Sequence, residues 1–344
     1  MEKSVLKSQF VKDLKDKAPV QSPFLIKFSA VAMGKTGKAY MNLVLQDKSG
    51  EVEARIWDDV AKYAGQAVKD TFAWVEGTCQ SYQGRKQIVI KSLQVLREDE
   101  VQVVEFVPES SIDPEMLYKK LMSYVLSMKD PYYRALAESI LKDDADIVDR
   151  YKRAPAAKSM HHAYKTGLLE HVVSITGILD HLATHYAPYL DRDLLFLGGF
   201  LHDIGKLWEL SYDRVTDYTT EGKLIGHLVM GVELVEKKVR ELESQSGRLP
   251  GPFPEEKKLL VKHVILAHHG QLEYGSPKRP KCLEALIVHY IDDLDSKVNA
   301  IRVFTETDLT PGPWTAFSRN YERFFFKPDW ARETPEGSSV SDSF

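Results

Sequence analysis

The apolar residues of this chain change their spacing once, and that change limits what the chain can fold into. Between residues 22 and 97 they come in short runs rich in Val, Ile and aromatics: "PFLIKFSAVAM", "KAYMNLVLQD", "EVEARIW", "TFAWVEGTCQ" and "KQIVIKSLQVL". The turn signals "GKTG", "DKSG" and "QGRK" separate several of them, which is the pattern of strands. "DDVAKYAGQAV", between the third and fourth runs, has the character of one short helix. Five strands with a helix between the third and fourth suit a small closed barrel of the OB type. From about residue 112 the spacing is helical. Asp113-Pro114 and Asp130-Pro131 each put an N-cap residue before a proline at the first helical position. A multidomain chain is expected, an N-terminal all-β OB-fold barrel followed by an all-α domain. The barrel is placed at residues 1–105, a helical linker at 106–160, the second domain at 161–305 and a C-terminal extension at 306–344. A length of 344 residues leaves room for two cores of ordinary size.

All 11 histidines lie between His161 and His289. Histidine is the commonest metal ligand, so metal chemistry is expected in the helical half. In "DRDLLFLGGFLHDIGK" apolar residues surround the helix, the mark of a buried central element. Gly198 and Gly199 each cost that helix roughly 1 kcal/mol relative to alanine, which makes sense if another helix must come close. His202 and Asp203 follow at its end. Such a pair is expensive in an apolar segment unless it is hydrogen-bonded or bound to a metal. Further candidate ligands are His171, which borders the stripe Leu168, Val172, Ile175, Leu179 and Leu182; His227, ending "EGKLIGH"; His268 and His269 in "LAHHG"; and Asp292 in "VHYIDDLDSKVN". On this last helix the apolar stripe is Leu286, Tyr290, Leu294 and Ile301. The helical wheel sets Asp292 opposite that stripe with Ser296 and Asn299, toward solvent or a cleft, and sets Asp293 nearer the core.

Neutral imidazoles and carboxylates with no thiolate among them suit Mn, Fe, Co, Ni or Zn. A bridging Asp203 can hold two ions roughly 3.5–4 Å apart, clamping the attacking and leaving oxygens of a phosphoester. Lys206, one turn on, would add a positive charge for the phosphate. Taken singly, each histidine reads as a half-buried residue, Lys206 as a solvated helix end, and a His-Asp dipeptide as chance. The ordered combination is specific. His171, then His202-Asp203, then Asp292 resembles the HD-domain phosphohydrolase superfamily, and within it the bacterial YhaM-type 3′–5′ exoribonucleases, which join an N-terminal OB-fold to an HD domain. "HHAYKTGLLEH", "RDLLFLGGFLHDIGK", "YTTEGKLIGH", "FPEEKKLLVKHVILAHHG", "YGSPKRP" and "EALIVHYIDDLDSK" are similar to stretches of that family. The likeness spans roughly residues 20 to 305 and is most specific over 161 to 297. It implies that Asp292 rather than Asp293 is the last ligand. The expected metal set is His171, His202, Asp203, His227, His268 and Asp292 around two divalent ions, with manganese the first candidate; the choice between His268 and His269 stays open. Asp203 and Lys206 are the expected catalytic pair.

An OB barrel binds single strands by stacking bases on aromatics and tracking phosphates with cations. Candidates are Tyr40, Trp57 and Tyr82 with Lys35, Lys38, Arg55, Arg85 and Lys86; for each, a binding role stands about even with the plainer one, barrel core for the aromatics and solvated surface for the cations. Residues 1–105 carry 16 Lys+Arg against 14 Asp+Glu, and the whole chain has a net charge of −4, so no global attraction draws nucleic acid in. That partner follows from fold and resemblance. Only Cys79 and Cys282 occur, which indicates no disulfide framework. No uncharged run approaches about 18 residues and the start has no apolar h-region, so a cytoplasmic protein without a membrane partner is expected. The expected activity is metal-dependent 3′–5′ hydrolysis of single-stranded RNA, with single-stranded DNA a further substrate, releasing nucleoside 5′-monophosphates; the polarity comes from the resemblance alone. Two rivals stand beside it. One is an HD phosphohydrolase of small nucleotides with a regulatory OB module, the other a nucleic-acid-binding protein whose HD domain is only structural. A homo-oligomer is left open.

Overall fold

A computed structural model describes residues 5–34, 37–82, 85–110, 112–158, 162–212, 214–308 and 310–328. Five strands, β1 (Pro19–Met33), β2 (Ala39–Asp47), β3 (Gly50–Ile56), β4 (Phe72–Tyr82) and β5 (Arg85–Leu96), close in the order β1-β2-β3-β5-β4, with the short helix α1 (Val60–Tyr63) between β3 and β4. The 15-residue β1 pairs with β2 along its second half and with β4 along its first. The parallel pairing of β3 with β5 completes the barrel. Alternation explains the core: Met41, Leu43 and Leu45 of β2 and Val52, Ala54 and Ile56 of β3 all point inward and are buried. The expected OB-type barrel is present, followed by helices.

The chain divides into two units, Val107–Asn299 and a second that holds the barrel together with the residues from Ala300 on. In the helical unit, α2 (Pro114–Ser127), α3 (Pro131–Leu141) and α4 (Ala145–Arg153) come first. Asp113 and Asp130 cap α2 and α3 by accepting backbone N–H groups, as the Asp-Pro spacing predicts. Then follow α5 (Gly167–His185), α6 (Arg192–Leu201), α7 (Lys206–Glu209), a two-strand ribbon of β6 (Leu210–Ser211) and β7 (Asp217–Tyr218), α8 (Thr220–Leu224), α9 (His227–Ser244), α10 (Glu255–Ala267) and α11 (Leu283–Thr307). Leu121 and Val125 of α2, Leu136 and Ile140 of α3 and Tyr151 of α4 share one core with Leu168, Val172 and Leu179 of α5 and Phe196, Leu197 and Phe200 of α6. The stretch read as a linker therefore builds part of the helical core.

Helix α6 is central, with every residue from Asp193 to Leu201 buried. A Cβ on Gly198 would sit 2.8 Å from Val264 Cγ1 of α10 and 3.3 Å from Val288 Cγ2 of α11. The glycine lets two helices approach at once.

Helix α11 corrects the wheel. Leu286, Tyr290 and Leu294, expected to face the core, are 39%, 60% and 50% exposed, while Ala285, Val288 and Ile291 are buried. Asp293 points outward to Lys297, 2.7 Å away, and Asp292 points inward. Ranking residues by bulk misplaced the face, because the inward side of α11 interleaves Ala285, Val288 and Ile291 with acids. Among the described residues no helix is long and apolar enough to cross a membrane.

Candidate metal centre

Five segments of the helical unit end or turn at one place. α5 supplies His171 from its first turns. His202 caps the C-terminus of α6, and Asp203 sits in the turn before Lys206 opens α7. His227 is the first residue of α9, His268 caps α10, and α11 brings Asp292. Gly205 permits the convergence: a Cβ there would lie 2.1 Å from the carbonyl oxygen of His227.

Asp203 lies between two groups of histidines. Its Oδ2 is 3.3 Å from His202 Nε2, while its Oδ1 is 3.5 Å from both His227 Nε2 and His268 Nε2. Asp292 Oδ1 is 3.2 Å from His171 Nε2 and 3.8 Å from His202 Nε2. His171, His202 and Asp203 form one cluster with ligand atoms within 4.8 Å of each other, and His227, His268 and His269 form another. Nε2 of His202, Nε2 of His227 and Oδ1 of Asp203 are buried without a hydrogen-bond partner. Such atoms are costly to leave unsatisfied. A divalent cation shared by these imidazoles and carboxylates would satisfy them, so the donor set fits the expected metals.

The other nitrogen of each ring is anchored. Nδ1 of His202 donates to Gly199 O at 3.0 Å and that of His268 to Ile265 O at 2.8 Å. His171 Nδ1 meets Asp295 Oδ2 at 2.7 Å and His227 Nδ1 meets Glu209 Oε1 at 2.9 Å. A backbone carbonyl can only accept, so His202 and His268 carry their proton on Nδ1 and keep Nε2 free to ligate. Asp295 is itself held by Ser174 Oγ at 2.6 Å and His162 Nε2 at 3.2 Å. His162 stands in the left-handed region at φ 43°, with its N–H donated to Asn299 Oδ1 at 3.2 Å; strain of this kind persists where surroundings enforce it. Sequence reasoning missed His162, Ser174, Glu209 and Asp295. Asp295, one turn beyond Asp292 on the same helix, was the one with a usable signal.

Burial would push Asp203, Asp292 and Asp295 up, but facing cations and donors outweigh it and hold all three below the carboxylate range. Lys206 Nζ donates to Asp203 Oδ2 and Ala156 O, both at 2.7 Å. Burial alone would lower its pKa, yet Asp203 raises it. His269 is pushed down to about 4, first by burial and then by His268 and His227, so it is neutral near pH 7. Of the adjacent pair, His268 is the one beside Asp203. His269 Nδ1 lies 3.1 Å from Tyr274 O.

Burial lowers the pKa of His171 as well, but Asp292 on one nitrogen and Asp295 on the other raise it to about 10. This bound proton stabilises the fold fully below about pH 6.5, and the effect fades as pH rises through about 10. A cation on Nε2 must displace it. Mn²⁺ titrated in near pH 7 should therefore release about one proton from this ring, and affinity should climb with pH. Calorimetry in buffers of different ionisation enthalpy measures the release; identical enthalpies in all buffers would refute it.

The barrel candidates are placed as follows. Tyr40 and Trp57 stack at 4.9 Å between ring centroids, on the outer face of β2 and β3, and Trp57 is 43% exposed. The pairing of Phe28 with Val44 puts Phe28 on that face too, 49% exposed and missed by sequence reasoning. Tyr82 and Arg85 face each other across the β4–β5 hairpin, both exposed. Lys38 pairs with Asp58 at 2.6 Å and Arg55 with Glu53 at 2.9 Å. Lys86 donates to the carbonyls of Val11 and Lys12, so its charge is engaged in holding the N-terminal turn. Lys35 lies outside the described residues.

Residues 168–297 match the HD domain family, and residues 26–96 match an OB-fold nucleic acid binding domain. Among solved structures, the second OB-fold domain of replication protein A from Methanococcus maripaludis is 14% identical, covering 27% of this chain and 97% of its own, at a TM-score of 0.23. The mitochondrial single-stranded DNA binding protein Rim1 from S. cerevisiae is 12% identical, with 24% and 98% covered and a TM-score of 0.21. RecG bound to a three-way DNA junction is 16% identical, with 75% and 35% covered and a TM-score of 0.22. The chain thus carries an OB-fold nucleic-acid-binding domain followed by an HD domain of the metal-dependent phosphohydrolases.

Proposed function

We propose that this protein is a metal-dependent exonuclease that removes nucleotides from the 3′ end of single-stranded RNA, and of single-stranded DNA as a second substrate, releasing nucleoside 5′-monophosphates. The observation that carries the reading is Asp203, whose two oxygens each face a separate histidine group whose ligating nitrogens point inward. His171, His202, Asp203 and Asp292 would hold one ion, and Asp203, His227 and His268 the other, with manganese the first candidate. When bound, such a pair supplies Lewis acidity that draws charge from the phosphoryl oxygens and makes water acidic enough to attack near neutral pH. The side chains do the positioning. Asp295 and Glu209 fix the rings of His171 and His227, and Lys206 keeps Asp203 ionised while its third N–H remains for a phosphate oxygen. RNA as the substrate and 3′ to 5′ polarity are supported by the resemblance to YhaM-type exoribonucleases.

The test is 5′-end-labelled RNA with Mn²⁺, run beside a panel of free nucleotides. A ladder shortening from the 3′ end, with nucleoside 5′-monophosphates released, is expected. Intact RNA beside hydrolysed nucleotides would replace this reading with that of a small-nucleotide phosphohydrolase. Trp57→Ala, which removes the stacked outer ring of the barrel, should weaken single-strand binding by about 1–3 kcal/mol, read by fluorescence anisotropy. Unchanged affinity would take Trp57 out of the interface.

A further inference from the structure

The turn after α10, "HGQLEYGSPKRPK" from His269 to Lys281, is stapled along its backbone yet presents most of its side chains outward. His269 Nδ1 lies 3.1 Å from Tyr274 O, and Gln271 N–H donates back to His269 O at 2.9 Å. Ser276 is buried, its hydroxyl set between Leu266 O at 2.9 Å and Lys278 O at 2.6 Å. Gly275 reverses the chain at φ +83°. The Tyr274 ring is nonetheless 70% exposed, and Lys278 and Arg279 are exposed with no ion pair among the described residues. The turn is tied to the metal centre by His269, whose ring lies 4.4 Å from that of His268 and 5.2 Å from that of His227. A fixed backbone carrying a two-torsion aromatic ring loses little entropy when a flat partner stacks on it.

We propose that this turn seats the last nucleotides of the single-stranded substrate beside the metal centre, Tyr274 stacking on a base while Lys278 and Arg279 take the phosphates upstream of the scissile bond. The proposal rests on the exonuclease reading and adds the residues that would grip the terminus. A tyrosine suits any base, because every base has a π-face, and two exposed cations a few residues on suit the phosphates of a strand. RNA and DNA strands share this chemistry.

The experiment uses the full-length protein with Mn²⁺ and RNA and DNA oligonucleotides that are intact or abasic at one of their last three positions. Wild-type protein should prefer the intact strand over at least one abasic strand by about tenfold in kcat/KM. Tyr274→Ala should erase that preference and Tyr274→Phe should keep it. Lys278→Ala combined with Arg279→Ala should flatten the salt dependence of oligonucleotide binding, since fewer counterions are released. Tyr189→Ala, a 76% exposed ring elsewhere on the helical unit, serves as the neutral control. If wild-type protein degrades oligonucleotides and Tyr274→Ala discriminates as well as it does, or if wild type ignores the missing base, the seat is overturned while the nuclease survives. If wild type degrades no oligonucleotide but hydrolyses free nucleotides, the exonuclease reading fails and takes the seat with it.

Discussion

Asp203→Asn is expected to abolish phosphoester hydrolysis and to lower bound metal from about two ions per chain. The substitution keeps the shape and removes the charge that both histidine groups face. Loss of that shared ligand should cost several kcal/mol of transition-state stabilisation, more than about a thousandfold in rate. A second effect accompanies it. Lys206 sits 2.7 Å from Asp203 with little exposure, so the variant strands a buried ammonium, which costs about 3–5 kcal/mol of stability. Adding Lys206→Met should recover much of the melting temperature and none of the metal or turnover. That combination separates a folding defect from a chemical one. Elemental analysis and turnover equal to wild type in Asp203→Asn would sink the two-ion site.

Gly205→Ala should be almost as damaging, through geometry alone. The new methyl would lie 2.1 Å from the carbonyl oxygen of His227 and 2.7 Å from its carbonyl carbon and Cα, so the start of α9 has to move. Backbone cannot swing aside as a long side chain can, and overpacking of this kind costs about 1–3 kcal/mol or more. His227 moves with it. The position formed by His227 and His268 should lose affinity while that of His171, His202 and Asp292 keeps its ion, so calorimetry would read about one ion rather than two. Gly247→Ala is the comparison, at a positive φ with no atom within 4 Å of the added carbon, and should cost stability without touching metal. Two tight ions in Gly205→Ala would mean that α9 has slack the packing does not suggest.

Much of this architecture is legible in the sequence. The strand runs and the short helix before the fourth strand specify the barrel, because period-two burial leaves a plain trace in sequence. The residues that meet at the candidate metal centre are legible as residue types, since imidazoles and carboxylates are rare in apolar helices without a reason. What escaped depends on tertiary placement. Asp295 supports a histidine 124 positions away, and no local pattern encodes that distance. Phe28 was hidden inside an apolar run, and a register shift between Ile26 and Phe28 turns it outward. The α11 wheel failed because the face that meets the other helices mixes Ala285, Val288 and Ile291 with the acids Asp292 and Asp295, while the bulkier Leu286, Tyr290 and Leu294 face outward. Lys86 read as a free cation, whereas two carbonyls of the N-terminal turn occupy it.

The histidines that cap α6 and α10 place two helix C-termini against the same small volume. Each terminus carries the equivalent of about half a negative charge, and the N-terminus of α9 at His227 sets about half a positive charge against them. Asp203 and Asp292 face Lys206 and the protonated ring of His171, so the backbone's contribution tips the site toward cations. A phosphodiester is an anion. If the site takes divalent ions as proposed, they would be expected to bind ahead of an anionic strand, so that free divalent metal sets substrate entry as well as chemistry.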